Sequence, residues 1–448
     1  MQTPLAEALW PKARRRIIGL LFARPEEEWH LRNIARLTDL APATVQREVV
    51  SLSDAGVLTR RESGRQVFYG ADPSCPIFDE LKSIAAKTSG VADEILGRPS
   101  MPDTMKAAVL YGVHDMRVED VPVPEMSRER DVLVRIRSVG VCGSDVHFYE
   151  RGIIGKYPLK DPTIMGHEAA GEVVEVLDES RGLTPGDRVA IEPGYTCRRC
   201  EFCKSGRYNV CPDVVFLAAP PIDGAFCEYI AWPSDFLFSL PDSLSMDDGA
   251  MMEPLSVGLW AARRGGVAPG DSVAVLGAGP IGLLTMQSAI AAGATRAIVS
   301  DLEATRLELA AELGATDTID ASEDDAESAI MQMTGGRGVD VAFECAGAVP
   351  TLQMALRITR NGGATQIVGM PAEQHPQIPL YEMINRELDL RGLFRYANCY
   401  PPAISLVEAG RVDVASLVTH HFDLDETPGA MTFVHERHDA VVKAIITP

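Results

Sequence analysis

Residues 271–315, DSVAVLGAGPIGLLTMQSAIAAGATRAIVSDLEATRLELAAELGA, leave the chain few folds to choose from. VAVL reads as a buried strand, and Gly277, Gly279 and Gly282 follow it as G-x-G-x-x-G, opening a helix that ends near Gly293. AIVS is the next strand, and it ends at Asp301. Glycines at these positions allow a tight turn and let a pyrophosphate approach the backbone at a helix N-terminus. Asp301, 24 positions after Gly277, is placed to accept hydrogen bonds from the hydroxyls of an adenosine ribose. A carboxylate there repels a 2′-phosphate, which favours NAD over NADP. Pro280, Ile281 and Arg306 complete the expected cofactor surface. Strand, glycine turn, helix and acid together are a far stronger signal than the glycines alone. Further strands at 339–348 and 362–370 predict a doubly wound parallel sheet.

The chain has 448 residues, which predicts two or three domains. Its formal charge of -21 is uneven: residues 1–100 hold 14 Lys+Arg against 13 Asp+Glu, leaving 28 against 50 for the rest. So acidic a main body repels nucleic acid, and only the leading segment escapes that exclusion. No apolar run reaches the roughly 18 residues that span a bilayer. The N-terminus lacks an apolar stretch before a small-residue cleavage site, so a cytoplasmic location without membrane partners is expected.

Four of the nine cysteines crowd into CRRCEFCKSGRYNVC, as C-x2-C-x2-C-x7-C at Cys197, Cys200, Cys203 and Cys211. Four thiolates fill a tetrahedral zinc shell and leave no place for a substrate, so this site is expected to be structural. An iron–sulfur cluster and a pair of disulfides are the rival readings. A second constellation has the open shell that catalysis needs. VGVCGSDVHF carries Cys142, Ser144 and His147; IMGHEAAG carries His167 and Glu168; MMEPLSVG carries Glu253. One thiolate, one imidazole and one carboxylate leave a coordination position open. His167 and Glu168 are adjacent and would point oppositely in a regular strand, so both can ligate only if the backbone bends, as Gly166 permits.

Before all this, residues 5–22, 30–40 and 41–56 read as three helices. The first shows Leu5, Leu9, Ile17, Leu20 and Leu21 as apolar positions, and the third Val45, Val49 and Leu52, with Pro42 in its first turn and Gly56 at its end. Residues 57–72 read as a hairpin turning at Glu62-Ser63-Gly64. Residues 76–96 suggest another helix, a candidate dimer contact, ahead of a linker at 98–104. Three helices and a hairpin resemble the winged helix-turn-helix domains of bacterial regulators. That resemblance, over residues 1–75, implies DNA contact through Thr44, Gln46 and Arg47 in the major groove, with Arg60, Arg61 and Arg65 on phosphates. A domain used only for dimerisation or for contact with the main body is the plainer alternative.

CGSDVH, GHEAAG, MEPLSVG, SDLEATRL and GLFRYAN stand in one order, and residues 105–448 resemble the zinc-dependent medium-chain dehydrogenases, in their sorbitol (polyol) dehydrogenase branch. The resemblance implies an α/β chain with a GroES-like, β-rich catalytic domain (105–255 and 395–448) interrupted by a Rossmann domain (256–394), with Met105 where such enzymes begin. It implies that Cys142, His167 and Glu168 hold a catalytic zinc and the cysteine lobe a structural one, two Zn2+ per chain besides NAD. Glu253 then holds the zinc-bound water or ligates, and Ser144 and His147 relay the alcohol proton to solvent. Phe216, Arg395 and Tyr396 bind a polyol substrate. Phe148 stands where relatives often have Tyr, and the complete cysteine lobe differs from animal members that have lost it. A homotetramer or dimer is implied. The competing readings are a DNA-binding regulator whose dehydrogenase body senses polyol or NADH, a threonine or 2,3-butanediol dehydrogenase, and a leader that merely reflects a fused reading frame.

Overall fold

The computed structural model describes residues 11–448 except 24, 26–27, 39, 64–65, 88–101, 155–156, 178–181, 371–372, 374 and 438–439. The chain divides into two compact units, Met1–Pro102 and Asp103–Pro448. Among the described residues no helix is long and apolar enough to cross a membrane.

The first unit contains helices Lys12–Ala23, Leu31–Thr38 and Pro42–Asp54, a hairpin of Leu58–Ser63 and Gln66–Ala71, and a further helix Phe78–Lys87. A short strand, Trp29–His30, pairs with the second hairpin strand and makes a three-stranded antiparallel sheet. Ile17, Leu20, Leu21, Ile34, Val45, Val49, Leu52 and Leu58 form one buried cluster, the helical spacing bringing one face of each helix inward. Leu5 and Leu9 lie outside the described residues. Gly56, just past the third helix, has φ +71, a left-handed conformation that glycine adopts without Cβ strain. The hairpin turns later than expected. Glu62 and Ser63 belong to the strand, with Ser63 opposite Gln66, because cross-strand pairing continues to the tip.

The two largest sheets of the second unit differ in character. Six parallel strands run in the order Asp317–Asp320, Arg296–Asp301, Ser272–Leu276, Val339–Glu344, Thr359–Ile367, Asp389–Gly392. This is doubly wound topology with helices on both faces, so the central strands Ser272–Leu276 and Val339–Glu344 are buried on both sides rather than alternating. Val273 and Val275 pack into one buried cluster and Ala274 and Leu276 into another, as the two-residue period of a strand requires. Gly258 lets helix Met252–Gly265 lie close to helix Pro280–Ala292, since a Cβ there would come within 2.7 Å of the Leu284 carbonyl carbon.

The other sheet has seven strands. Leu237–Ser239, Arg188–Ile191, Glu168–Val176, Val132–Gly140, Lys443–Thr447 and Val418–Asp423 follow one another, and Tyr229–Trp232 also pairs with Val132–Gly140. Strand Lys443–Thr447 thus lies against strand Val132–Gly140, so segments far apart in sequence build one β-rich layer.

Candidate active site

Cys142 caps the N-terminus of helix Gly143–Arg151, and the Asp145 side chain accepts the Cys142 backbone N–H at 3.0 Å. The other Asp145 oxygen accepts from Gly166 N at 3.1 Å and lies 3.6 Å from His167 Nδ1. Gly166 has φ +88, and a Cβ there would come within 2.6 Å of the Phe226 ring. The bend expected between His167 and Glu168 is therefore present, with the strand starting only at Glu168. It brings one ligand atom each from Cys142, His167 and Glu168 within 4.8 Å of one another. A carboxylate behind a histidine fixes its tautomer and raises its basicity, a usual support for metal-binding rings. Burial disfavours the His167 cation, but Asp145 and Cys142 outweigh it and raise the ring's pKa.

Glu168 is 1% exposed, and Lys443 Nζ donates to both its oxygens, at 2.8 and 2.7 Å, and to Val141 O. Glu253, in the first turn of helix Met252–Gly265, accepts from Tyr396 Oη at 2.9 Å. Burial, reinforced by Glu168, pushes the Glu253 carboxyl up to about 7. Ser144 is half-buried, and His147, one turn later on the same helix, is exposed. Desolvation by neighbouring atoms and the Arg151 charge hold His147 below the ordinary imidazole range.

Phe216, itself an expected substrate residue, lies between the candidate ligand His167 and Arg395. Its ring centroid is 5.7 Å from that of His167 and 3.7 Å from the Arg395 guanidinium carbon. Tyr396 is 3% exposed and spends its hydroxyl on Glu253, so it reaches the site through that carboxylate. Phe148 is buried at 5% exposure.

In the cysteine lobe the sulfurs of Cys200 and Cys203 are 3.4 Å apart, Cys211 and Cys197 3.6 Å, and Cys197 and Cys203 3.9 Å. A tetrahedron with zinc–sulfur arms of about 2.3 Å has edges of about 3.8 Å, so four thiolates at these spacings fit one zinc ion. All four cysteines are free, which corrects the disulfide alternative. Backbone N–H groups of Arg199 and Cys200 lower the Cys197 thiol to about 6, whereas burial pushes Cys211 up to about 12, so the lobe without an ion favours the thiolate at Cys197 and not at Cys211.

The glycine turn has the shape its motif demands. Gly277 has φ +104, a Cβ on Gly282 would collide with the Gly277 carbonyl oxygen, and one on Gly279 would point into open space. Gly279 caps helix Pro280–Ala292, with Pro280 at its first position and Ile281 next, and Asp301 accepts from Ala278 N at 2.5 Å and Glu303 N at 3.0 Å. Arg306 sits half-buried in the first turn of helix Ala304–Glu312.

Two family models match: the alcohol dehydrogenase GroES-like domain over residues 128–242 and the zinc-binding dehydrogenase over 280–409. The sorbitol dehydrogenase of Bacillus subtilis is 45% identical over 349 residues, 78% of this chain and 99% of that one. The chain belongs to the zinc-dependent medium-chain dehydrogenases. Human sorbitol dehydrogenase is 44% identical over 71% of this dehydrogenase and 89% of its own length. Among solved structures, 2R,3R-butanediol dehydrogenase from Bacillus subtilis matches at TM-score 0.70 and 34% identity, covering 77% of this chain and 99% of that one. An Escherichia coli oxidoreductase of unknown specificity matches at TM-score 0.73 and 38% identity, covering 77% and 99%. Membership makes the chain an oxidoreductase that works with zinc and a nicotinamide cofactor.

Two residues that matter to this site escaped the sequence reading. Asp145 was legible in principle, standing three residues after Cys142 as a helix-capping carboxylate does. Lys443 carried a fainter sign, a lone ammonium inside the apolar run VVKAII.

Proposed function

We propose that this dehydrogenase oxidises a secondary hydroxyl of a polyol to the ketone in the cytoplasm, passing the hydride to NAD. The supporting observation is the open three-ligand cluster of Cys142, His167 and Glu168, one ring away from the Arg395 guanidinium. Zinc supplies a Lewis acid there when bound, and can lower the pKa of a hydroxyl by many units, as it does for water. NAD supplies the hydride acceptor. The chain's own groups then divide the work. Ser144 takes the hydroxyl proton inside the site, and His147, exposed and held below the ordinary imidazole range, carries it to solvent. Glu253, oriented by Tyr396, adds a buried carboxyl beside the ligands. Arg395 offers donors to neighbouring hydroxyls, and a site built to hydrogen-bond a hydroxyl rejects analogues that lack it.

Steady-state rates on sorbitol, xylitol, threonine and 2,3-butanediol test the reading, with the highest kcat/KM expected on a polyol. The butanediol dehydrogenase likeness keeps that rival substrate in the comparison, and a preference for it or for threonine overturns the polyol assignment. Asp301 supports NAD because a carboxylate at the end of the second strand would accept from ribose hydroxyls and repel a 2′-phosphate. Asp301→Ser is expected to raise KM for NAD about tenfold, the effect of losing one good hydrogen-bonding acceptor. The same variant should improve the use of NADP, and initial-rate kinetics with both cofactors check it.

The first unit fits a winged helix-turn-helix that contacts DNA. Gln46 and Arg47 are exposed on helix Pro42–Asp54, Thr44 is half-buried beside them, and Arg60 is exposed on the hairpin. Arg61 pairs with Glu28 at 2.5 Å and stacks over Phe68, so a phosphate must compete for it. Arg65 lies outside the described residues. Binding to DNA from upstream of the gene should be retarding in a gel, weaken steeply with salt, and fall in Arg47→Ala. Absence of any salt-sensitive shift removes this role and the regulator reading with it.

A further inference from the structure

We infer that the four-cysteine lobe, besides holding itself together, positions the segment that grips the substrate. Segment 394–398 carries Arg395, and two of its non-glycine residues, Arg395 at φ +49 and Asn398 at φ +56, occupy the left-handed region that L-residues rarely adopt. Such a backbone persists where its surroundings over-determine it. The surroundings here are the lobe. Asn209 Nδ2 donates to Phe394 O at 2.8 Å, Tyr208 Oη accepts from Asn398 N at 2.8 Å, and Asn398 Nδ2 donates to Gly206 O at 2.8 Å. All three lobe partners fall between Cys203 and Cys211. The convergence of the sulfurs therefore sets where they stand. Arg263 and Glu253 hold the segment from another side, through Asn398 O and the Tyr396 hydroxyl. The lobe thus fixes the start of a short chain of contacts that runs through Arg395 and Phe216 to His167.

Tyr208 and Asn209 are accordingly positioning residues for polyol selectivity, an inference that rests on Arg395 gripping substrate hydroxyls. The test uses the full chain loaded with zinc and NAD, comparing Tyr208→Phe combined with Asn209→Ala against Arg395→Ala. Substrates are sorbitol and 2-butanol, a secondary alcohol without neighbouring hydroxyls. The lobe variant should raise KM for sorbitol roughly tenfold, as expected for losing about one hydrogen bond to a charged group. Its kcat/KM for 2-butanol should change less than about twofold, and its zinc content should stay at two ions per chain. Equal losses on both alcohols mean general loosening and overturn the inference. An unchanged sorbitol KM, where Arg395→Ala raises it, also overturns the inference and leaves the polyol reading standing. No effect of Arg395→Ala on sorbitol overturns both.

Discussion

Replacing Cys142 with Ser, or His167 with Ala, is expected to lower polyol turnover by at least about a thousandfold while leaving NAD affinity within about twofold. The magnitude follows from what the ion would supply: zinc brings bound water down to a pKa of about 7, and would lower a bound hydroxyl in the same direction by many units. Losing that effect returns hydride abstraction to a neutral alcohol. Cofactor binding should persist because the glycine turn and Asp301 belong to strands and helices of the parallel sheet, none of which supplies these ligands. Elemental analysis should find one zinc per chain in place of two, and cofactor titration should find normal NAD binding. Normal turnover in either variant sinks the metal assignment.

The second large effect concerns the ion pair behind the ligands. Lys443 and Glu168 are 4% and 1% exposed at their side chains. Breaking a pair this deeply buried by removing one partner costs about 3–5 kcal/mol, because the survivor keeps its charge without compensation. Lys443→Met should therefore lower the thermal midpoint of metal-free enzyme clearly. Zinc should close part of the gap, since a divalent cation compensates the stranded carboxylate. Adding Glu168→Gln should restore much of the metal-free stability, because it removes the charge rather than its partner. Scanning calorimetry of both variants, with and without zinc, checks the series. A Lys443→Met protein as stable as the parent in both forms contradicts it.

What could be read beforehand was what the sequence encodes locally. The glycine turn, its strand and Asp301 lie within one short span, and each glycine has a steric reason that survives in the structure. The cysteine lobe is local as well, and its spacing alone announced a closed shell. The Cys142–His167–Glu168 cluster crosses a longer gap, yet the residue types and the bend at Gly166 pointed to it. The partner of Lys443 was illegible for a different reason: the ammonium meets Glu168 across 275 positions, through a strand pairing that no local pattern specifies. Tyr396 showed a related limit, since a buried tyrosine near a site can serve the substrate or a carboxylate, and only packing chooses. The hairpin tip was misplaced because Ser and Gly suit turns, whereas cross-strand register carried the ladder through Ser63.

The sheet order fixes a timetable for maturation. Strand Lys443–Thr447 inserts beside Val132–Gly140, and it delivers the ammonium that neutralises Glu168. During synthesis the cysteine lobe can close as soon as residue 211 has left the ribosome. The catalytic pocket must wait for more than two hundred further residues, so the cysteine lobe can be complete in a nascent chain well before the Glu168–Lys443 pair forms.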